Sequence, residues 1–184
     1  MKATVVKDLM VPLSEYASVS QDATLYEAIL ALEKAQEEFD QSHYRHRAIL
    51  VFDDQDCVIG KLGLFDILMA LENKYTEIGD LERLGGLGLS PNFVKSLLSN
   101  YSFWSEPLEA ICRNAAAQTV RDIMHTLTER EYIEESAALD EAIHQLIMGH
   151  HQSLIVTRGD EIVGILKLSD IFGEICMMIK ASQS

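Results

Sequence analysis

Apolar residues recur at helical spacing in two separate parts of the chain. Leu25, Ala28, Ile29 and Leu32 follow the i, i+3, i+4, i+7 pattern, which predicts an amphipathic helix. The same stripe recurs further along, at Leu139, Ala142, Ile143 and Leu146. Thr24 and Glu27 have the spacing of a capping box at the start of the first helix. Gly149 is placed to end the second.

Strand-like runs surround each predicted helix. A short β-like stretch precedes each one, at 17–19 and at 132–133. Two apolar runs divided by a polar turn follow each one, at 48–52 and 58–62 and again at 153–157 and 162–166. A closing helix is expected near Asp66 and near Asp170. Each half therefore predicts the order βαββα.

The two halves are one unit written twice. Val6-Lys7-Asp8-Leu9-Met10 reappears about 114 residues later as Val120-Arg121-Asp122-Ile123-Met124. Gly60 and Asp66 reappear about 104 residues later, so the first repeat carries roughly ten extra residues between 32 and 50. His43 and His46 belong to this insertion, and we expect them on its surface. One such unit is too small to bury a sheet face alone, which predicts two units packed about a pseudo-twofold axis with a cleft between them.

The segment between the repeats is apolar enough to pack against the module or a partner. Ser90-Pro91 and Ser105-Glu106-Pro107 each have the composition of a helix start. The second of these helices would bury one face, made of Leu108, Ile111, Cys112 and Ala115. We therefore divide the chain into a first domain (1–72), a helical connecting region (73–118) and a second domain (119–184).

The charge of the chain disfavours several partners. The formal net charge is −14, with 15 basic against 29 acidic residues. Such a surface repels nucleic acid and anionic membranes. We see neither a membrane-spanning apolar run nor a signal peptide after Met1. The three cysteines are widely separated, which argues against disulfides or a zinc site and suits a cytoplasmic location.

The ordered set of motifs resembles a known family. V-[KR]-D-[LI]-M, an L-x-E-A-I helix, strand–turn–strand and then G-x-L-x-x-x-D-I occur twice. This order is similar to that of tandem cystathionine β-synthase (CBS) domains, often called a Bateman module. The resemblance implies an α/β (α+β) fold of two domains about a pseudo-twofold axis. It also implies a non-enzymatic regulatory module that dimerises with itself, signals to a protein partner and needs no cofactor. Its regulatory ligand would be an adenosine derivative, namely AMP, ADP, ATP or S-adenosylmethionine.

The resemblance also assigns candidate ligand-binding residues. Asp66 and Asp170 match the family's ribose-binding aspartate. Gly63 and Lys167 stand where the family has a phosphate-binding Ser or Thr, and Arg47 and His151 match its basic positions. The remaining candidates are Ser169, Ile133 and Ala17. A lysine would give phosphate a charge-assisted hydrogen bond, so we expect the second repeat to hold the better cleft, for a phosphorylated adenosine. Gly63 leaves the first weak, empty or selective for an uncharged ligand.

Several features have simpler interpretations. In these, Asp66 and Asp170 each only cap a helix, and Lys167 is an ordinary exposed strand residue. His144, His150 and His151 are more simply ligand-facing or solvated than bound to a metal. A structural or protein-interaction module that has lost its nucleotide is the main alternative function. An enzyme is the remaining one, but the middle segment has few acids, bases or nucleophiles in a tight set.

Overall fold

The computed structural model describes residues 4–38, 46–71 and 107–183. The predicted helix near Ser90 therefore lies outside the described residues, as does His43. In the first repeat the strands are β1 (Val11–Pro12), β2 (Ser18–Ser20), β3 (Ala48–Phe52) and β4 (Val58–Gly63), with helices α1 (Leu25–Glu38) and α2 (Leu64–Ala70). Short 3₁₀ turns at Val6–Asp8 and Leu13–Glu15 flank β1.

The connecting segment ends in helix α3 (Leu108–Ala116), and the second repeat follows. Its helices are α4 (Val120–Ile123), α5 (Leu139–Gly149) and α6 (Leu168–Ala181). Its strands are β5 (His125–Thr126), β6 (Tyr132–Glu134), β7 (Ser153–Arg158) and β8 (Glu161–Lys167), with a 3₁₀ turn at Glu129–Glu131 before β6. The predicted mixed α/β order is confirmed in both halves.

The strands form two four-stranded sheets, and the repeats exchange their leading strands. One sheet has the order β1-β8-β7-β6 and the other β2-β3-β4-β5. β1 of the first repeat thus pairs antiparallel with β8 of the second, and β5 of the second pairs antiparallel with β4 of the first. Each repeat completes the sheet of the other, so the two share hydrogen bonds as well as a packed surface.

The V-x-D-x-M motif makes this exchange. The backbone N–H of Val6 donates to the carbonyl of Ala137 in the second repeat at 3.0 Å. The N–H of Val120 donates to Ala23 in the first repeat at 2.8 Å. Both valine side chains are fully buried in the core of the opposite repeat. Burial of a side chain of this size contributes about 1.5–3 kcal/mol, so the repeated motif stabilises the pair.

The repeated glycines Gly60 and Gly164 allow the leading strands to pass closely. A Cβ at Gly164 would lie 2.5 Å from the carbonyl oxygen of Val11, and one at Gly60 would lie 2.9 Å from that of His125. The methionine that ends each motif, Met10 or Met124, also packs on the glycine of the other repeat. A side chain at either glycine would force the exchanged strand away.

Local details test the predicted helix boundaries. The Thr24–Glu27 capping box is confirmed, since the Thr24 N–H donates to Glu27 Oε2 at 2.8 Å and the Glu27 N–H to Thr24 Oγ1 at 3.3 Å. The helix ends at Gly149, as predicted, but the residue in the left-handed conformation is His150, with φ of 52°. The C-cap lies one residue later than predicted.

The predicted face of α3 is only partly buried. Ala115 packs into the core of the first repeat, but Leu108 and Cys112 are exposed. Pro107 occupies the N-cap rather than the first helical position. The amphipathic spacing was therefore correct for the helix, whereas the burial of its whole face was wrong.

Strand register changes one set of correspondences between the repeats. β3 pairs Ala48 with Gly63, and β7 pairs Ser153 with Lys167. Because Gly63 and Lys167 are equivalent, the turn of the first repeat is one residue longer than that of the second. The counterpart of Arg47 is therefore Gln152, and not His151 as the sequence comparison indicated. The backbone hydrogen bonds agree with this correspondence. The N–H of Leu64 donates to the carbonyl oxygen of Arg47, and the N–H of Leu168 donates to the carbonyl oxygen of Gln152.

Candidate functional site

Both repeats open into one cavity of about 870 Å³. Its walls include the starts of α2 and α6, which the two-strand units β3–β4 and β7–β8 bring to the same place. The first repeat contributes Tyr16, Arg47, Ala48, Lys61, Gly63, Leu64, Phe65 and Asp66. The second contributes His125, Glu131, His150, His151, Gln152, Ser153, Lys167, Leu168, Ser169 and Phe172. Six of the nine candidate residues, which were expected in two unequal clefts, thus line one shared cavity.

Lys167 and Asp170 form a buried ion pair beside this cavity. Lys167 Nζ lies 3.2 Å from Asp170 Oδ2, and the two residues are 4% and 8% exposed. The interpretation of Lys167 as an ordinary exposed residue is wrong, because it ends β8 at the α6 N-cap and points inward. Burial lowers the pKa of Lys167, while the Asp170 carboxylate opposes this shift.

Asp66 has a local role at the equivalent place in the first repeat. Its Oδ2 accepts a hydrogen bond of 2.7 Å from the Gly63 N–H, at the start of α2. Asp66 therefore does cap α2. The carboxylate still lines the cavity. Asp66 thus bonds a backbone N–H, and the equivalent Asp170 pairs with a lysine side chain.

Glu131 is the centre of a polar cluster that sequence reasoning missed. Its side chain is fully buried, and Lys61 Nζ lies 2.5 Å from its Oε1. Its Oε2 meets His125 Nε2 at 2.8 Å and accepts hydrogen bonds from the N–H and the hydroxyl of Thr128. Burial would raise the pKa of Glu131, but the hydrogen bonds from Lys61, His125 and Thr128 outweigh it and lower the pKa to about 2.

His46 lies in the core and not on the surface of the insertion. It is 1% exposed, and its ring packs edge-on against Tyr16 with centroids 4.5 Å apart. Burial, aided by the charge of Lys167, lowers the pKa of His46 to about 4, so the ring is neutral at pH 7. Burial and the Asp170 charge raise the pKa of Tyr16. Neither the Tyr16 ring nor the His46 ring therefore titrates near neutral pH.

His151 lines the cavity from the second repeat. By strand register it is the counterpart of His46. Its Nε2 is buried and has no hydrogen-bond partner among the residues that the structure describes. Burial lowers the pKa of His151, and the charge of Glu131 opposes this effect. The ring is therefore mainly neutral at pH 7, and its buried Nε2 is turned towards the backbone of Gly149.

The structure brings together most of the sequence candidates. Six of them line the cavity: Arg47, Gly63, Asp66, His151, Lys167 and Ser169. Asp170 joins them through its pair with Lys167. Ala17 and Ile133 are instead buried in the hydrophobic cores of the first and second repeat. Ala17 and Glu131 occupy equivalent positions about 114 residues apart, so the repeat itself pointed to the missed carboxylate.

Within 4–38, 46–71 and 107–183, no group of His, Cys, Asp or Glu side chains is arranged to hold a metal ion. This covers His144, His150 and His151. Among the same residues, no helix combines the length and the apolar character needed to cross a membrane.

These observations define an intramolecular pair of α/β repeats that share a cavity. A family model described as "CBS domain" matches residues 6–73 and 120–176. The chain belongs to the CBS domain family, as a tandem pair. A search of curated proteins found no match.

Solved structures of CBS proteins share the fold. The crystal structure of CBSX2 in complex with AMP is 18% identical, with a TM-score of 0.58 over 94% of this chain and 97% of that chain. A CBS domain-containing protein of unknown function from Bacillus anthracis is 18% identical, with a TM-score of 0.60 over 95% and 94%. The CBS-domain protein ATU1752 from Agrobacterium tumefaciens is 15% identical, with a TM-score of 0.57 over 93% and 92%.

Proposed function

We propose that this chain is a non-enzymatic regulatory module that binds a phosphorylated adenosine in the shared cavity and passes the signal to a protein partner. The observation that carries the proposal is the buried Lys167–Asp170 pair at the start of α6. A lysine and an aspartate at a helix start offer one group for phosphate and one for ribose hydroxyls. We expect the protein to act in the cytoplasm, in keeping with its three free cysteines.

The ion pair favours an anionic ligand over an uncharged one. Ribose hydroxyls that bond Asp170 would weaken the pairing of its carboxylate with Lys167. Lys167 is buried, so its charge would then need another partner. A phosphate that bonds Lys167 at the same time replaces the lost partner, so neither charge remains uncompensated. AMP, ADP or ATP would satisfy both groups, whereas adenosine would satisfy one. S-adenosylmethionine brings a sulfonium and is less suited to Lys167.

The fold relative CBSX2, crystallised with AMP, supports the choice of an adenine nucleotide. The cavity also has room for one, because 870 Å³ falls in the range of small-molecule sites. The walls combine apolar surface, from Leu64, Phe65 and Phe172, with a few polar groups. That combination is typical of sites that hold a base and fix its charged end.

A second function, as a protein-interaction module without nucleotide, is favoured by the apolar faces of α2 and α6. Both helices expose large apolar side chains: Leu64, Phe65, Leu68 and Met69 on α2, and Phe172, Met177 and Ile179 on α6. We propose that a second copy of the chain covers these faces in a homodimer. Dimerisation is compatible with nucleotide binding. A protein-interaction module without nucleotide would form the same dimer and would differ only in its empty cavity.

A thermal-shift panel of AMP, ADP, ATP, adenosine and S-adenosylmethionine separates the two functions. A ligand at about 100 times its dissociation constant stabilises the folded state by about 2.7 kcal/mol. For a chain of this size, that free energy raises Tm by roughly 5–11 °C. We expect this rise with at least one phosphorylated adenosine. An unchanged Tm across the whole panel would contradict nucleotide binding and favour the interaction module.

A further inference from the structure

Lys61 is a charged residue of the first repeat that reaches into the second. It lies on β4, and its side chain is largely buried. Its Nζ contacts Glu131 at 2.5 Å and donates to the carbonyl oxygen of Ser153 at 3.3 Å. Both acceptors belong to the second repeat. Ser153 is also the strand partner of Lys167, so Lys61 approaches the end of β8 that carries the Lys167–Asp170 pair.

Glu131 holds Lys61 in this position. The carboxylate is itself fixed by His125 and by two hydrogen bonds from Thr128, so it is a rigid anchor. An ammonium group has three N–H donors, and the Glu131 and Ser153 contacts account for two of them. The side chain lines the cavity, where its third donor is available to a ligand.

The charges around the cavity are more favourable to an anion than the charges of the protein as a whole. Arg47, Lys61 and Lys167 balance the carboxylates of Asp66, Glu131 and Asp170 there, whereas the whole chain carries a net charge of −14. The cavity is therefore a locally neutral region in an acidic protein. A phosphate entering it meets two lysines whose ammonium groups are already oriented by carboxylates.

We propose that Lys61, positioned by Glu131, is a second anion-binding residue of the cavity and contacts the same ligand phosphate group or chain as Lys167. This inference rests on the proposed function and specifies the ligand as one whose anionic end is held by both repeats. Lys61 comes from the first repeat and Lys167 from the second. The bound anion thus ties β4 to β8, which makes occupancy of the cavity a contact between repeats.

Titration calorimetry with AMP and with adenosine tests this role of Lys61. The variants are Lys61→Gln, the double variant Lys61→Gln/Glu131→Gln and the exposed control Lys34→Gln, which makes the same change of charge on α1. The double variant is included because Lys61→Gln alone leaves Glu131 buried without its lysine. Removing both charges leaves no such defect. Thermal unfolding verifies that each variant is folded.

We expect both Lys61 variants to bind AMP on the order of tenfold more weakly, the loss typical of one charge-assisted hydrogen bond. Their affinity for adenosine should stay within about twofold of wild type, and Lys34→Gln should match wild type with both ligands. Recovery of AMP affinity in the double variant would overturn the proposal, because Lys61 would then act only by neutralising Glu131. Equal losses for AMP and adenosine, or no loss, would overturn it as well. A wild-type protein that binds neither ligand would instead refute the proposed function.

Discussion

Replacing Glu131 with glutamine should destabilise the protein markedly at neutral pH. The pKa of this buried carboxyl falls from its ordinary value of 4.5 to about 2 in the folded protein. A tenfold change in an acid dissociation constant corresponds to about 1.4 kcal/mol, so the ionised form of Glu131 stabilises the fold by about 3 kcal/mol relative to its protonated form. Glutamine preserves the size of the side chain but leaves Lys61 without its counter-charge. We therefore expect a loss of about 3 kcal/mol and a fall in Tm of roughly 6–12 °C.

The pH dependence of this loss distinguishes the charge from the shape of the side chain. Because the folded pKa is depressed, the contribution of Glu131 is complete above about pH 4.5 and disappears as the pH falls towards 2. Denaturant unfolding at pH 7 and at about pH 3 measures the free energy of unfolding on both sides of this range. Glu129→Gln, an exposed change in the same 3₁₀ turn, serves as the control. Equal stability of wild type and Glu131→Gln at pH 7, or a difference that persists undiminished in acid, would show that the buried charge does not stabilise the fold.

Other parts of the structure lead to three more expected outcomes. Binding of an anion beside His151 should raise the lowered pKa of this residue. The ratio of wild-type to His151→Gln affinity for AMP, measured by calorimetry, should therefore rise as the pH falls from about 7.5 to 6. A constant ratio would contradict this prediction. Gly164→Ala places a Cβ 2.5 Å from the Val11 carbonyl oxygen and should cost about 1–3 kcal/mol in denaturant unfolding, whereas wild-type stability would show that β1 yields easily. Phe65→Glu should convert a dimer to a monomer in light scattering, and a monomeric wild type would reject the dimer.

The sequence predicted most of the fold because the repeat was visible in its periodicity. The helical stripes, the strand pairs and the Thr24–Glu27 cap each depend on residues close together in the chain. The exchange of leading strands depends on pairing between distant segments, such as β1 with β8, and no local pattern reports it. The repeated glycines Gly60 and Gly164 mark where the exchanged strands pass closely. Their role is apparent only in the structure, where β5 lies against Gly60 and β1 lies against Gly164.

The candidate site was predicted less completely, for two physical reasons. A turn one residue longer in the first repeat shifted the correspondence of Arg47 from His151 to Gln152. The burial of Glu131 was hidden because a glutamate in the sequence normally indicates an exposed residue. Its spacing from Thr128 matches a capping box, which gave a clue to its hydrogen bonds but not to Lys61.

The sharpest test of nucleotide binding in the shared cavity is calorimetric titration of AMP into wild type and into Asp170→Asn. Asp160→Asn, in the exposed turn between β7 and β8, is the matched control. We expect wild type and Asp160→Asn to bind AMP with equal affinity. Asp170→Asn should bind it on the order of tenfold or more weakly, since the ribose hydroxyls lose a charged acceptor. Absence of binding to wild type, or undiminished binding to a folded Asp170→Asn, would contradict a nucleotide site built on Asp170.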